Sequence, residues 1–185
     1  RINLKGAQHY YKVTPDISCF GKAMANGMPI SAIVGKKKYM KKFDKIFFST
    51  TFGGETLSIA AALETIKFLK KKNVIEKIKK FSKKLTNDMQ MMISKHGFEN
   101  IYTIEGVWWR PAFGVKKGVN KNYLNLLRKN LVKNKILIGN SFNFCFSHTN
   151  SKIYKEIISK IDKAFKLTKS DKIEKHFFSG NNVRP

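Results

Sequence analysis

Cys19-Phe20-Gly21-Lys22-Ala23-Met24-Ala25-Asn26-Gly27-Met28-Pro29-Ile30 is the stretch on which the reading of this chain turns. Its single lysine sits among small and apolar residues, with Gly and Pro closing the segment. Elsewhere lysines come in runs, as in Lys36-Lys37-Lys38 and Lys70-Lys71-Lys72. The setting of Lys22 reads as buried, and a buried ammonium is costly unless paired or neutralised. A desolvated amine deprotonates readily and forms Schiff bases with carbonyls. The competing reading is a loop lysine that carries its ammonium out to water along its aliphatic stem. The window alone leaves both open.

Working outward, Thr50-Thr51-Phe52-Gly53-Gly54 lies between a strand-like run, Ile46-Phe47-Phe48-Ser49, and the start of a helix. Hydroxyls, pliant backbone and free N–H groups at a helix N-terminus suit a phosphate. A plain strand-to-helix turn with Thr caps reads equally well. Two such sites support each other, because a carbonyl cofactor bearing a phosphate needs both an amine and an anion anchor.

Periodicity supplies the frame. Ile30 to Gly35 is a short apolar run suited to a buried strand, and Lys36 to Lys42 a solvated helical turn or loop. Leu57, Ala60, Ala61, Leu63, Ile66 and Leu69 make a helical stripe, capped by Thr56 or Gly54. Asn73-Val74 opens a long amphipathic helix that ends at His96-Gly97. Within it, Met89, Met91 and Met92 read as core filler. Asn100 to Val107 is strand-like and leads into the aromatic run Trp108-Trp109-Arg110-Pro111. Arg110 reads either as a carboxylate contact or as part of an aromatic plug. A helix over 122–133, strand-like pieces at 135–139 and 142–147, and a helix over 151–167 capped by Ser151 follow. The tail is polar. This pattern predicts an α/β chain, with a first unit at 1–72, a small α/β domain at 73–168 and a tail at 169–185.

Composition bounds the remainder. The chain has 185 residues, 42% hydrophobic and 12% aromatic, enough for a packed core. It has no apolar run of membrane-spanning length, so no membrane partner is expected. It has neither an initial Met nor a signal-like start, and reads as cut from something longer. The net charge of +25 suggests a basic binding module. Against that, arginine occurs only at positions 1, 110, 128 and 184, and Arg is the residue favoured for bidentate phosphate and base contacts. Nucleic acid is therefore disfavoured as a partner. Cys19 and Cys145 are far apart and the four histidines lack ligand spacing, which argues against zinc and for a reducing cytoplasm.

Pro15 to Gly35, PDISCFGKAMANGMPISAIVG, resembles the lysine segment of class III pyridoxal-phosphate-dependent aminotransferases. Phe47 to Ile66, FFSTTFGGETLSIAAALETI, is similar to the segment that follows it in that family. Gly6-Ala7-Gln8, Tyr10-Tyr11 and Ile136 to His148 fit the glutamate-semialdehyde aminomutase-like branch. The likeness covers roughly residues 1–168.

The resemblance implies a fold-type I enzyme, represented by the C-terminal part of its large domain and its small C-terminal domain. It implies pyridoxal 5'-phosphate as cofactor, held as a Schiff base on Lys22, which is also the proton shuttle. Thr51 would bind the cofactor phosphate, usually the one held in the partner subunit of a homodimer. Substrates would be a small-molecule amino donor and a keto or aldehyde acceptor; an aminomutase is the alternative. Gly53-Gly54-Glu55-Thr56 stands where aminomutases tend to have Ser-Gly-Asn-Pro, which favours an aminotransferase. The family's glycine loop, ring-stacking aromatic and pyridine-pairing aspartate would all precede Arg1. The 185 residues alone are therefore expected to be inactive.

Overall fold

The computed structural model describes residues 1–171. They divide into two compact units, Arg1–Glu76 and the part that begins at Lys77.

The first unit opens with a single turn, α1 (Ala7–Tyr10), followed by β1 (Ile17–Phe20) and β2 (Ala32–Gly35). These strands pair antiparallel, Ile17 opposite Gly35 and Phe20 opposite Ala32. Gly35 is needed there, since a Cβ would come within 2.5 Å of the Asp16 carbonyl oxygen. The ladder is pinned outside its last pair by Lys36, whose N–H reaches the Asp16 carbonyl at 2.9 Å and whose Nζ lies 2.6 Å from Asp16 Oδ1. Neither strand is buried as the apolar run at Ile30–Gly35 predicts. A two-stranded ribbon presents two faces and covers neither unaided.

After the short helix α2 (Lys37–Met40) and a 3₁₀ turn at Lys41–Lys45, the chain runs irregularly into α3 (Thr56–Lys71). The strand expected at Ile46–Ser49 is absent: no neighbour pairs with it, and Phe47 is 97% exposed. Helix α3 forms where its periodicity predicts, but its cap is Glu55. The carboxylate accepts from the N–H groups of Leu57 and Ser58. The buried face of α3 also differs from the predicted stripe. Ser58 and Ala62 are buried, whereas Leu57, Leu63 and Ile66 are exposed. Small residues face inward because the 3₁₀ turn Lys22–Ala25 packs against this helix, and a close-packed backbone leaves no room for leucine.

Helix α4 (Val74–Lys95) leads into the second unit and ends as predicted. Gly97 takes φ 77°, its N–H returns to the Ser94 carbonyl, and the Phe98 N–H to that of Ile93. Strands β3 (Tyr102–Val107) and β4 (Arg110–Val115) form a hairpin through Trp108-Trp109. The sequence reading found only the first of these strands. Helices α5 (Asn122–Lys133) and α6 (Ser151–Ser170) complete the unit. Asn150, not Ser151, caps α6, and the helix runs through Ser170, into the predicted tail. The stretches at 135–139 and 142–147 are not strands. Between them the chain meets β4 at the bridge of Ala112 with Ser141 and through two flanking hydrogen bonds, and the Phe142 ring lies near that of Phe113. The remainder of the predicted tail, 172–185 with His176, lies outside the described residues.

The second unit's core is aromatic and dense. Phe81, Leu85, Met89, Met92, Ile93, Phe98, Tyr102, Phe113, Leu127, Leu131, Ile161 and Phe165 are buried together. Each large side chain so buried contributes roughly 1.5–3 kcal/mol. Met91, by contrast, is 62% exposed, so two of the three methionines serve as core filler. At its margin His96 is buried, stacks on Phe165 and lies 2.9 Å from Asp162 Oδ1. Lys95 and Lys166 complete the cluster. Hydrogen bonds from His96, then from the two lysines, hold the Asp162 carboxyl well below the usual range, against partial burial that pushes it up.

Candidate active site

Lys22 stands two residues beyond the end of β1, at the start of the 3₁₀ turn that begins the long connection to β2. The strand therefore aims it, and the turn Lys22–Ala25 holds it against α3. Its backbone is left-handed, at φ 52°. A long side chain there is strained by order 1–3 kcal/mol, and such strain concentrates where chemistry fixes the backbone. Asn26 closes the turn, left-handed at φ 49°, with Ala25 buried beneath it. The expectation of burial fails for the lysine itself. Lys22 is exposed, as is Ala23, while Ala25 in the same turn is buried.

Thr51 lies in the turn that feeds α3, also exposed. The Gly53 N–H returns to the Thr50 carbonyl at 2.9 Å, and the Glu55 N–H to that of Phe52 at 3.3 Å. Two of the amides expected to be free at the α3 N-terminus are taken. Glu55 Oε1 lies 2.7 Å from the Leu57 nitrogen, and Oε2 lies 2.7 Å from that of Ser58. Hydrogen bonds from Ser58, then Leu57, hold the Glu55 carboxyl below its ordinary range. The sequence reading noted Glu55 only as a departure from a pattern. An acidic residue just before a helical stripe was the signal for its capping role.

Lys22 and Thr51 thus flank one helix, the first on a turn packed against it and the second on the turn leading into it. One offers a solvent-accessible amine and the other an accessible hydroxyl. That donor set fits a phosphorylated carbonyl compound: an amine for the carbonyl, a hydroxyl for the phosphate. Arg110 is exposed at the start of β4, and Trp108 and Trp109 meet edge to face in the hairpin turn. The Trp108 carbonyl accepts from Ser82 Oγ, which makes this turn a docking point for α4. A cavity of about 510 Å³ in the second unit is lined by apolar side chains including Phe81, Leu127, Phe142 and Ile157. Cys19 and Cys145 are free and exposed. No described helix is long and apolar enough to cross a membrane.

This chain belongs to the class-III aminotransferase family, whose pattern matches residues 5–135. Among its relatives is a 3-aminobutyryl-CoA aminotransferase of Cloacimonas acidaminovorans, 35% identical over 159 residues. That match covers 81% of this chain and 37% of the relative. A glutamate-1-semialdehyde 2,1-aminomutase of Sulfurisphaera tokodaii is 35% identical over 136 residues, covering 71% of this chain and 32% of the relative. The chain thus spans about a third of the length of these relatives. Its fold is that of fold-type I transaminases. A Sphingopyxis FumI protein, solved in its PLP internal aldimine form, superposes with a TM-score of 0.76 at 21% identity, over 87% of this chain and 39% of the other. The ornithine aminotransferase of Toxoplasma gondii gives 0.71 at 23% identity, over 87% and 39%.

Proposed function

We propose that this chain is the catalytic-lysine-bearing, C-terminal part of a pyridoxal-phosphate-dependent aminotransferase. Its reaction moves an amino group from a small-molecule donor to a keto or aldehyde acceptor. The observation that carries the reading is Lys22, an accessible amine on a strained backbone, flanking the same helix as Thr51 in a class-III chain. Lys22 would hold the cofactor, and Thr51 Oγ1 would donate to its phosphate, in the partner subunit of a homodimer. Bound there, pyridoxal phosphate supplies an aldehyde that captures amines and a conjugated ring that accepts an electron pair.

The chain's own part is positioning and proton transfer. The turn Lys22–Ala25, packed against α3, would set the point from which the Lys22 side chain leaves the backbone. Nζ would take the proton from one carbon and deliver it to another, the role of a single two-way base. Free, exposed Cys19 and Cys145 suit a reducing cytoplasm, the compartment we assign.

In the full-length protein, Lys22→Ala should abolish the absorbance of lysine-bound cofactor and lower turnover by about 10³-fold or more. Persistence of that absorbance would sink the assignment. The 185 residues alone should bind the cofactor poorly and turn over no amino donor. The aminomutase relative favours a second reading, an isomerase returning the amine to the same substrate. An aminotransferase stalls without an added donor and acceptor, whereas a mutase needs neither.

A further inference from the structure

The N-terminus of α3 is the end of a sixteen-residue helix that attracts anions, yet a carboxylate of this chain already occupies it. Glu55 is the only acidic residue between Asp44 and Glu64. Its backbone N–H closes the turn begun at Phe52, one residue after Thr51, while its two carboxylate oxygens accept from the Leu57 and Ser58 amides, the second and third of the helix. It therefore joins the Thr51 turn to α3 and brings a negative charge into that junction. A carboxylate and a phosphate are both acceptors only, so they compete for the same N–H donors and repel each other.

We propose that Glu55 is a positioning residue that closes the α3 N-terminus to the cofactor's phosphate. The phosphate is then confined to the Thr51 turn and held more weakly than beside a neutral cap. This rests on the assignment of the phosphate to Thr51, and the test separates the two. In the full-length protein, dissociation constants are measured for pyridoxal phosphate and for phosphate-free pyridoxal, and the pyridoxal constant divided by the pyridoxal phosphate constant reports the hold on phosphate. Glu55→Gln and Glu55→Asn should each raise that ratio about threefold, while Thr51→Ala should lower it. Damage to the fold alone would weaken both ligands together and leave the ratio unmoved. If both Glu55 variants leave the ratio unchanged or lower it while Thr51→Ala still lowers it, the role of Glu55 is overturned. If Thr51→Ala leaves the ratio unmoved, the phosphate assignment beneath it falls as well.

Discussion

The two units of this chain solve the problem of apolar surface in opposite ways. The part from Lys77 onward turns its aromatic residues inward: Tyr102, Phe113 and Phe165 are each at most 3% exposed. The part up to Glu76 buries small residues such as Ala25, Ser58 and Ala62, and leaves Phe47, Phe48, Phe52, Leu57 and Leu63 more than half exposed. The candidate chemistry sits in the second kind of surface. A site assembled from turns and helix ends gains little from its own unit's burial and needs covering from elsewhere. The unit that could stabilise itself carries no candidate catalytic group.

The sharpest way to break that contrast is to separate the halves. Residues 73–185 should unfold cooperatively by circular dichroism, since they bring their own core. Residues 1–72 alone should show no cooperative transition, and a sigmoidal melt for them would erase the distinction. Next in size, Phe165→Ala should cost about 4 kcal/mol in chemical denaturation, because it opens a cavity where three rings meet. Leu63→Ala on the exposed face of α3 should cost under about 0.5 kcal/mol in the same chain, and a larger loss would show that the face is covered.

A further effect concerns acid. Asp162 has its carboxyl held low in the folded state, so the unfolded chain binds its proton first. Its contribution is present above about pH 4, the ordinary carboxylate value, and is lost as pH falls further toward the folded value. Asp162→Asn should therefore flatten the acid limb of a stability–pH curve and leave its slope near neutrality unchanged. An unaltered acid limb would remove the cluster from the stability of the second unit.

Much of this was legible in one dimension. The four long helices follow from 3.6-residue periodicity, and the stop of α4 at Gly97 from a residue free to take positive φ. Lys22 and Thr51 stood out by their neighbours and by family resemblance. The failures cluster where pairing decides. Ile46–Ser49, 135–139 and 142–147 have strand-like composition, but a strand exists only with a partner to accept its hydrogen bonds. β4 was hidden because Trp108-Trp109 carries none of the residues that usually mark a hairpin turn.

The stretch around Lys22 shows the same division. Its residues alone established an isolated lysine among small side chains, the segment's match to a family, and a neighbouring threonine suited to phosphate. Composition set the basic charge and the scarcity of arginine. Tertiary structure decided that Lys22 is exposed, that its backbone is left-handed, and that small residues rather than leucines face inward on α3. Those outcomes depend on which backbone approaches which, and close approach is a property of packing in three dimensions that local sequence does not encode.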